Sequence, residues 1–170
     1  KAAQTITFAT PGVQNYGTSP NLSTLGGGAS ATSGLAVTFT SSTTGVCTIT
    51  SGGLLTFVTA GTCTINADQA GDSTYLPAPQ VSRSFTVSPI VPDAPTIGTA
   101  TAGDTQASVA FTAPANTGGT VITGYTVTVS PPHVPHVTGP SSPIVVNGLT
   151  NGQAYTFTVT ADNSAGTGPA

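Results

Sequence analysis

The sequence predicts an all-β protein made of two tandem β-sandwiches. Apolar and polar residues alternate over short stretches such as TITFA at residues 5–9, and Gly, Pro, Ser and Thr are frequent between those stretches. In mid-chain, the segment SPIVPDAP at residues 88–95 carries three prolines and predicts a stiff boundary between two domains. Short strands with a period of two, separated by turn residues, are typical of a sandwich.

The composition excludes several classes of function. Only 4% of the 170 residues are charged, and the net charge is -3. Lys1 and Arg83 are the two basic residues, too few to neutralise a nucleic-acid backbone or to bind an anionic membrane. No apolar run approaches the roughly 20 residues that span a bilayer, so we expect no membrane insertion.

The N-terminus and the cysteines together predict a location. The first residues show no basic region followed by an apolar core, so we expect any signal peptide to have been removed already. An even pair of cysteines in a charge-poor, strand-rich chain favours an oxidising compartment. We therefore expect an extracellular or cell-surface protein.

Both cysteines lie in the stretch with the clearest strand pattern. Cys47 shares a strand face with Ile49, and Cys63 shares one with Ile65, so both sulfur atoms point toward the predicted core. Turn residues at 51–53 and 60–61 separate these strands from a middle strand that carries Leu55 and Phe57.

A structural disulfide between Cys47 and Cys63 is the interpretation that fits this stretch. It would close a loop of about fifteen residues and stabilise the fold by roughly 3 kcal/mol. A metal pair would need further ligands, and a catalytic cysteine would need a base. The only histidines, His133 and His136, lie far along the chain in a proline-rich segment.

The remaining alternation places the other strands of the first sandwich near residues 5–9, 29–31, 35–40 and 81–87. The run AVTFTSSTTGVCTITSGGLLTFVTAGTCTINADQAGDSTY, closed by SFTV at residues 84–87, resembles the bacterial Ig-like repeats found in tandem on large extracellular and cell-surface proteins. This resemblance implies an Ig-like sandwich over residues 1–88.

The second half of the chain carries another resemblance. After a segment at residues 89–95 that we interpret as a Pro-rich hinge, alternating stretches surround Val109, Tyr125 and Ile144. The spacing of residues 149–166 (LTNGQAYTFTVTADNSAG) resembles a fibronectin type III domain. The resemblance implies such a domain over residues 96–170.

The fibronectin resemblance also implies roles for individual residues. Phe111 lies where the family usually has a buried tryptophan, and Tyr125 corresponds to its core tyrosine. Leu149 and Tyr155 correspond to the tyrosine corner, in which the phenol bonds to upstream backbone. The Arg-Gly-Asp tripeptide that binds integrins in this family has no counterpart in the sequence.

One departure from the family concerns the last strand. The chain reaches only the turn near Gly166, so we expect the second sandwich to lack its final strand within this chain, leaving Tyr155, Phe157 and Val159 on an open assembly edge. Three explanations remain: a fragment that stops before the strand, a strand donated by another copy, or a domain that tolerates the gap.

Candidate metal sites are sparse. His133 and His136 are three residues apart but have no further metal-ligating side chain close in sequence. Asp68 and Asp72 flank Gly71 and could hold calcium with loop carbonyls, as could Asp162 with Asn163, although turn formation explains these residues equally. We expect no other cofactor.

Surface recognition has two further candidates. Tyr16 and Tyr75 are the tyrosines that the predicted cores leave free, and exposed aromatic rings are what a glycan platform requires. Asn21 begins the triplet NLS, an N-glycosylation sequon in form.

These observations predict a non-enzymatic structural spacer or adhesion stalk in a larger bacterial extracellular protein. Five scattered aspartates and two loop histidines do not make an acid and base pair. Expected partners are neighbouring domains, other copies of the chain or a surface glycan. One alternative is an accessory, carbohydrate-binding region of a secreted polysaccharide-degrading enzyme. Another is a subunit of an extracellular filament or virion appendage assembled by strand donation.

Overall fold

The computed structural model describes residues 1–25, 28–132 and 135–170. The chain divides into two compact units, Lys1–Pro89 and Ile90–Ala170, each with its own hydrophobic core. Both units are built from β-strands, as the alternation predicts. Over the described residues, no helix is long and apolar enough to cross a membrane.

Among its described residues, the first unit contains eight short strands. Their bounds are β1 Ile6–Phe8, β2 Gln14–Asn15, β3 Ala29–Ala31, β4 Thr38–Ser41, β5 Cys47–Ile49, β6 Leu55–Phe57, β7 Gly61–Asp68 and β8 Val81–Ser88. Four of them form one sheet in the order β2-β8-β7-β4, and two pairs, β1-β3 and β5-β6, form separate two-stranded sheets. All pairings are antiparallel except β2 with β8.

The disulfide lies in the core of the first unit. Cys47 on β5 and Cys63 on β7 are bonded, with their Cα atoms 5.7 Å apart, and both are fully buried. The bond therefore joins the small β5-β6 sheet to the four-stranded sheet, in agreement with the sequence prediction. The ring of Phe57 packs edge-on against Phe85 across the same interface, at 6.3 Å between centroids.

Two details of the first unit differ from the sequence prediction. Strand β2 was not predicted, because two residues cannot show a period of two; it exists through parallel pairing of Gln14 with Val87 on β8. Strand β4 begins at Thr38 and not at residue 35, although Val37 still packs against the core.

The second unit contains seven strands among its described residues. Their bounds are β9 Thr96–Gly103, β10 Gln106–Thr112, β11 Gly124–Ser130, β12 Val137–Gly139, β13 Ile144–Asn147, β14 Thr156–Asn163 and β15 Gly166–Thr167. They form two sheets, in the orders β13-β10-β9 and β12-β11-β14-β15. In the core, the buried ring of Phe111 meets Tyr125, with 4.7 Å between centroids.

The expected absence of the last strand needs correction. Gly166 and Thr167 form a two-residue strand, β15, which pairs with Asn163 and Asp162 at the end of β14. The backbone of Gly168 extends this pairing by donating to the Ala161 carbonyl at 2.9 Å. The start of the last strand is therefore present, because the turn after Asn163 returns the chain along β14.

The expected hinge at residues 89–95 also differs from the structure. The boundary between the units falls after Pro89, and most of the predicted hinge belongs to the second unit. The amide of Ile90 donates to the Gly118 carbonyl at 3.0 Å, and the amide of Asp93 donates to the Asn116 carbonyl at 3.1 Å. These bonds, with the burial of Pro92, fix the segment on the second sandwich.

Replacing both cysteines by alanine should destabilise the first unit by about 3 kcal/mol, since the unfolded chain regains the freedom of the closed loop. Urea unfolding of the full chain, followed through backbone amide signals of β7 by NMR, measures this loss. The exposed Thr48→Ala substitution on the same strand as Cys47 is the matched control and should change the free energy by less than about 0.5 kcal/mol. An unchanged free energy in the double variant would contradict a stabilising role of the disulfide.

Candidate functional site

The outer edge of β14 is the main candidate site. On one side, β14 pairs with β11 from Thr156 to Asp162 without interruption. On the other side, β15 and Gly168 cover only residues 161–163. Among the described strands, none pairs with residues 156–160 on that side, so this part of the edge is open.

A groove of about 230 Å³ lies at the start of β14, where Tyr155 and Phe157 contribute to its lining. Its lining is uncharged and mixes small, aromatic and carboxamide side chains: Ala100, Ala102, Gly103, Gln106, Ala107, Leu149, Thr150, Asn151, Gly152, Gln153, Tyr155 and Phe157. Three of the lining residues, Ala100, Ala102 and Gly103, belong to β9, all eight residues of which are exposed. Both faces of β9 are thus uncovered, which sequence alternation alone does not reveal.

The structure brings two of the three predicted edge residues to the groove. Tyr155 and Phe157 line it and are half-buried, but Tyr155 precedes β14 and does not belong to the strand. The Val159 side chain is only 2% exposed and packs in the core. Val159 can therefore contribute only its backbone to a contact at this edge, which corrects the predicted role of its side chain.

The predicted tyrosine-corner residues hold one end of the groove. The amide of Thr150 donates to the Tyr155 phenol oxygen at 3.1 Å, and Leu149 is buried in the core. The Asn151 side chain accepts from the Thr105 amide at 2.9 Å and donates to Asp104 at 2.7 Å. These bonds fix the loop that forms the wall, so the groove is preformed.

Asn163 holds the other end of β14 and is 6% exposed. Its Nδ2 donates to the carbonyls of Ile90 at 2.7 Å and Thr117 at 2.8 Å, while its Oδ1 accepts from the Ala165 amide at 2.8 Å. All three bonds are internal, so the side chain ties the start of the unit to the turn before β15. The sequence signal for this turn is the run of turn-forming residues Asp162, Asn163, Ser164 and Gly166.

The candidate calcium residues are occupied by bonds within the protein. Asp72 Oδ1 accepts from the amides of Thr74 at 2.7 Å and Tyr75 at 2.8 Å. These bonds, that of Tyr75 first, lower the pKa of the exposed Asp72 carboxyl below its ordinary value of 3.8, and the charge of Lys1 adds to the effect. The geometry is that of a turn-forming aspartate.

The other acidic candidates have protein partners as well. Asp68 accepts from the Gln80 side chain at 2.8 Å, and Asp162 accepts from the Thr167 hydroxyl. Within residues 1–25, 28–132 and 135–170, no three His, Cys, Asp or Glu side chains cluster as metal ligands do. His133 lies outside the described residues, and the exposed His136 shares a 3.0 Å hydrogen bond with Thr128.

The structure does not bring the two candidate glycan tyrosines together. Tyr16 is half-buried on the first core, and its amide bonds to Ser88 at the end of β8. Tyr75, also half-buried, lies in the loop that precedes the start of β8. An eight-residue strand spans about 25 Å, so the rings do not form one platform. Asn21 of the sequon accepts from Ser23, in a local turn.

Comparison with known families identifies the second unit. Residues 91–170 match the sequence model of the fibronectin type III domain. Together with its two-sheet architecture and the Tyr155 contact, the match makes the second unit a fibronectin type III domain and confirms that expectation. The match does not extend to the first unit, whose Ig-like character stays a prediction.

Two solved structures are similar to the chain. One is the crystal structure of domains A168–A170 from titin, at 16% identity and a TM-score of 0.44, with 98% of this chain covered and the chain spanning 62% of that one. The other contains fibronectin(III)-like modules of CbhA from Clostridium thermocellum, at 13% identity and a TM-score of 0.33, covering 96% of this chain and 89% of that one. A search of curated proteins finds no match.

The Asp72 carboxyl should titrate with a midpoint below 3.8, because two backbone amides favour its ionised form. A depressed folded pKa means that this contribution to stability is complete above the ordinary pKa and is lost as the pH falls through the folded value. NMR titration of the side-chain carboxyl carbon measures the midpoint. A midpoint at or above 3.8 would contradict the two bonds, and Asp72→Asn should remove this pH dependence.

Replacing Asn163 by alanine should destabilise the second unit by about 3 kcal/mol, since two carbonyls and one amide lose their buried partner. Urea unfolding monitored through the amides of β11 measures the change. Asn147→Ala, at an exposed asparagine of the same unit, serves as the control and should cost less than about 0.5 kcal/mol. Equal effects of the two substitutions would show that the three bonds do not stabilise the unit.

Proposed function

We propose that the chain is a non-enzymatic structural spacer or stalk segment of a larger extracellular bacterial protein. The fibronectin type III domain in the second unit supports a structural or accessory role. The observation that carries the proposal is the serial arrangement in sequence of two units, each with a separate core and the first with an internal disulfide. Such units can bear load one after another.

The short boundary between the units supports the same proposal. The Ser88 carbonyl accepts from the Tyr16 amide inside the first unit, and the Ile90 amide donates to Gly118 inside the second. Only Pro89 lies between these two anchored residues. A spacer gains from a short connection, because little chain is left to extend freely under force.

The surface chemistry also favours a spacer over a ligand catcher. With two basic and five acidic residues in the whole chain, electrostatic attraction of a charged partner is weak. The aspartates proposed for calcium bond to protein groups, and the groove in the second unit is uncharged.

Single-molecule extension of the full chain tests the proposal. A spacer should give two separate unfolding events. In the first unit, the disulfide should prevent the 16-residue loop from extending under force. Reductant should therefore increase the gain in extension on unfolding of this unit by about 5 nm, at 3.3–3.6 Å per residue. The second event serves as the internal control, since it should not change with reductant. Extension without resolved events would show that the units do not resist force and would overturn the proposal.

The accessory role in a polysaccharide-degrading enzyme is tested separately. A spacer should remain in solution when the chain is mixed with insoluble cellulose or chitin and centrifuged. Binding that is lost in a Tyr16→Ala or Tyr75→Ala variant would replace the spacer proposal by the accessory one and would locate the platform.

The open edge of β14 favours a second candidate, a repeating subunit that receives a strand from another copy. An unpaired strand edge without charged side chains is a template for strand addition. Residues 156–160 meet that description, with the sequence TFTVT. Sedimentation velocity of the full chain from micromolar concentration upward tests this candidate. Concentration-dependent polymers are the expected result, and a monomer at every concentration would overturn it.

A further inference from the structure

We propose that Asn21 is an attachment site for an N-linked glycan, which the folded first unit accommodates without losing a contact of its own. The site lies in the first unit alone, and its assignment does not depend on the spacer role. Its chemistry is carried by Asn21 and Ser23, and its surroundings by Gly53 and Leu54.

Asn21 is the one asparagine of the chain that begins a sequon. The triplet Asn21-Leu22-Ser23 has no proline at its middle position, as N-glycosylation requires. None of the six other asparagines has a serine or threonine two residues later. These six residues are therefore internal controls for the site.

The segment around Asn21 is anchored while Asn21 itself is exposed. Leu22 is only 1% exposed, and its amide donates to the Gly53 carbonyl at 2.8 Å. On the other side of Asn21, the Pro20 carbonyl accepts from the Leu55 amide at 2.9 Å. The side chain of Asn21 is thus presented to solvent from a fixed backbone.

Hydrogen bonds determine which atom of the Asn21 carboxamide is available. One atom accepts from the Ser23 amide at 3.0 Å and from the Ser23 hydroxyl at 2.7 Å. Since a backbone amide only donates, this atom must be the oxygen Oδ1. No group of the described residues accepts a hydrogen bond from Nδ2. The nitrogen, which is the atom that carries an N-linked glycan, is therefore accessible.

Gly53 packs directly against this turn. Its φ is +94°, and a Cβ at this position would lie 2.9 Å from the Ser23 nitrogen and 3.0 Å from Asn21 Oδ1. A larger residue would displace the turn, whereas glycine leaves both hydrogen bonds intact. The backbone of Gly53 therefore holds Oδ1 on the protein side and Nδ2 on the solvent side.

The reaction needs a glycosyl donor from outside the chain, of the class of oligosaccharides linked to a lipid pyrophosphate. A bond forms between Nδ2 and C1 of the sugar, and the bond from C1 to the pyrophosphate oxygen breaks. The lipid pyrophosphate leaves, and one Nδ2 proton passes to a base of the glycosyltransferase. The two hydrogen bonds to Oδ1 stabilise the negative charge that develops on the carboxamide, so Ser23 is a positioning residue.

Leu54 is the neighbour that the first sugar would cover. Asn21 and Leu54 lie directly opposite each other in an antiparallel bridge, and residues in that relation share a face. The Leu54 side chain is 45% exposed. A sugar ring has an apolar face of C–H groups, so a glycan on Asn21 would remove part of this leucine from water.

Translation of the full chain behind a cleavable secretory signal, in the presence of eukaryotic microsomes, tests the proposal. The microsomes supply the transferase and its lipid-linked donor. Asn21→Asp keeps the oxygen that accepts from Ser23 but lacks Nδ2, Ser23→Ala removes the hydroxyl, and Ser23→Thr restores it. The readouts are the intact mass with and without peptide N-glycosidase, and peptide mapping of the modified residue.

The unaltered chain and Ser23→Thr should each gain one glycan, on Asn21 alone, and Asn21→Asp and Ser23→Ala should gain none. An unmodified chain in microsomes that glycosylate a reporter protein would overturn the attachment site. A glycan retained in Ser23→Ala would overturn the role of the hydroxyl.

Material secreted from yeast tests how the folded unit accommodates the glycan. The Asn21→Asp variant is the unglycosylated reference. The glycosylated chain should melt within about 2 °C of this reference or above it, and a melting temperature lower by about 5 °C or more would overturn the accessibility of Nδ2. In NMR spectra, the Leu54 methyl signals should differ between the two forms, while those of the exposed Leu76 should coincide. Equal changes at both leucines would overturn Leu54 as the neighbour.

Discussion

Backbone pairing of β14 with β11 is the interaction on which the second unit depends. It runs over seven consecutive residue pairs and places Val127 against Val159 and Tyr125 against Ala161 inside the core. Both ends of β14 are then fixed by side chains, with Tyr155 bonded to the upstream loop and Asn163 bonded to Ile90 and Thr117. Because one edge and both ends are fixed, the other edge of β14 can stay open without loss of the strand's position.

In the first unit, the strands are held in place by contacts between separate sheets. Its central strand β7 pairs on both sides, with β4 and β8, but the β5-β6 and β1-β3 sheets contain only two strands each. A two-stranded sheet is marginally stable by itself. The disulfide and the edge-on contact of Phe57 with Phe85 attach one of these sheets to the larger one. The covalent bond therefore lies in the unit where backbone pairing is less continuous.

The sequence predicted features that repeat over several residues and missed features that depend on one contact. The alternation of apolar and polar residues was sufficient to predict β7, β8 and β11. It also predicted that the side chains of Cys47 and Cys63 point into the same core. It could not predict β2 or β15, which have two residues each and exist only because longer strands pair with them. From the sequence, Asn163 could be interpreted only as a calcium candidate or a turn residue. The carbonyls of Ile90 and Thr117, to which it donates, approach it only in the folded unit.

The low charge of the chain also determines the chemistry of the open edge of β14, which has no charged side chains. Soluble proteins commonly protect free strand edges with lysine, proline or an inward-pointing charge. The exposed residues of β9 and residues 156–160 of β14 include none of these, and the chain has two basic side chains in all. Neither charge nor proline therefore protects this part of the edge, which leaves its backbone accessible for pairing with another strand.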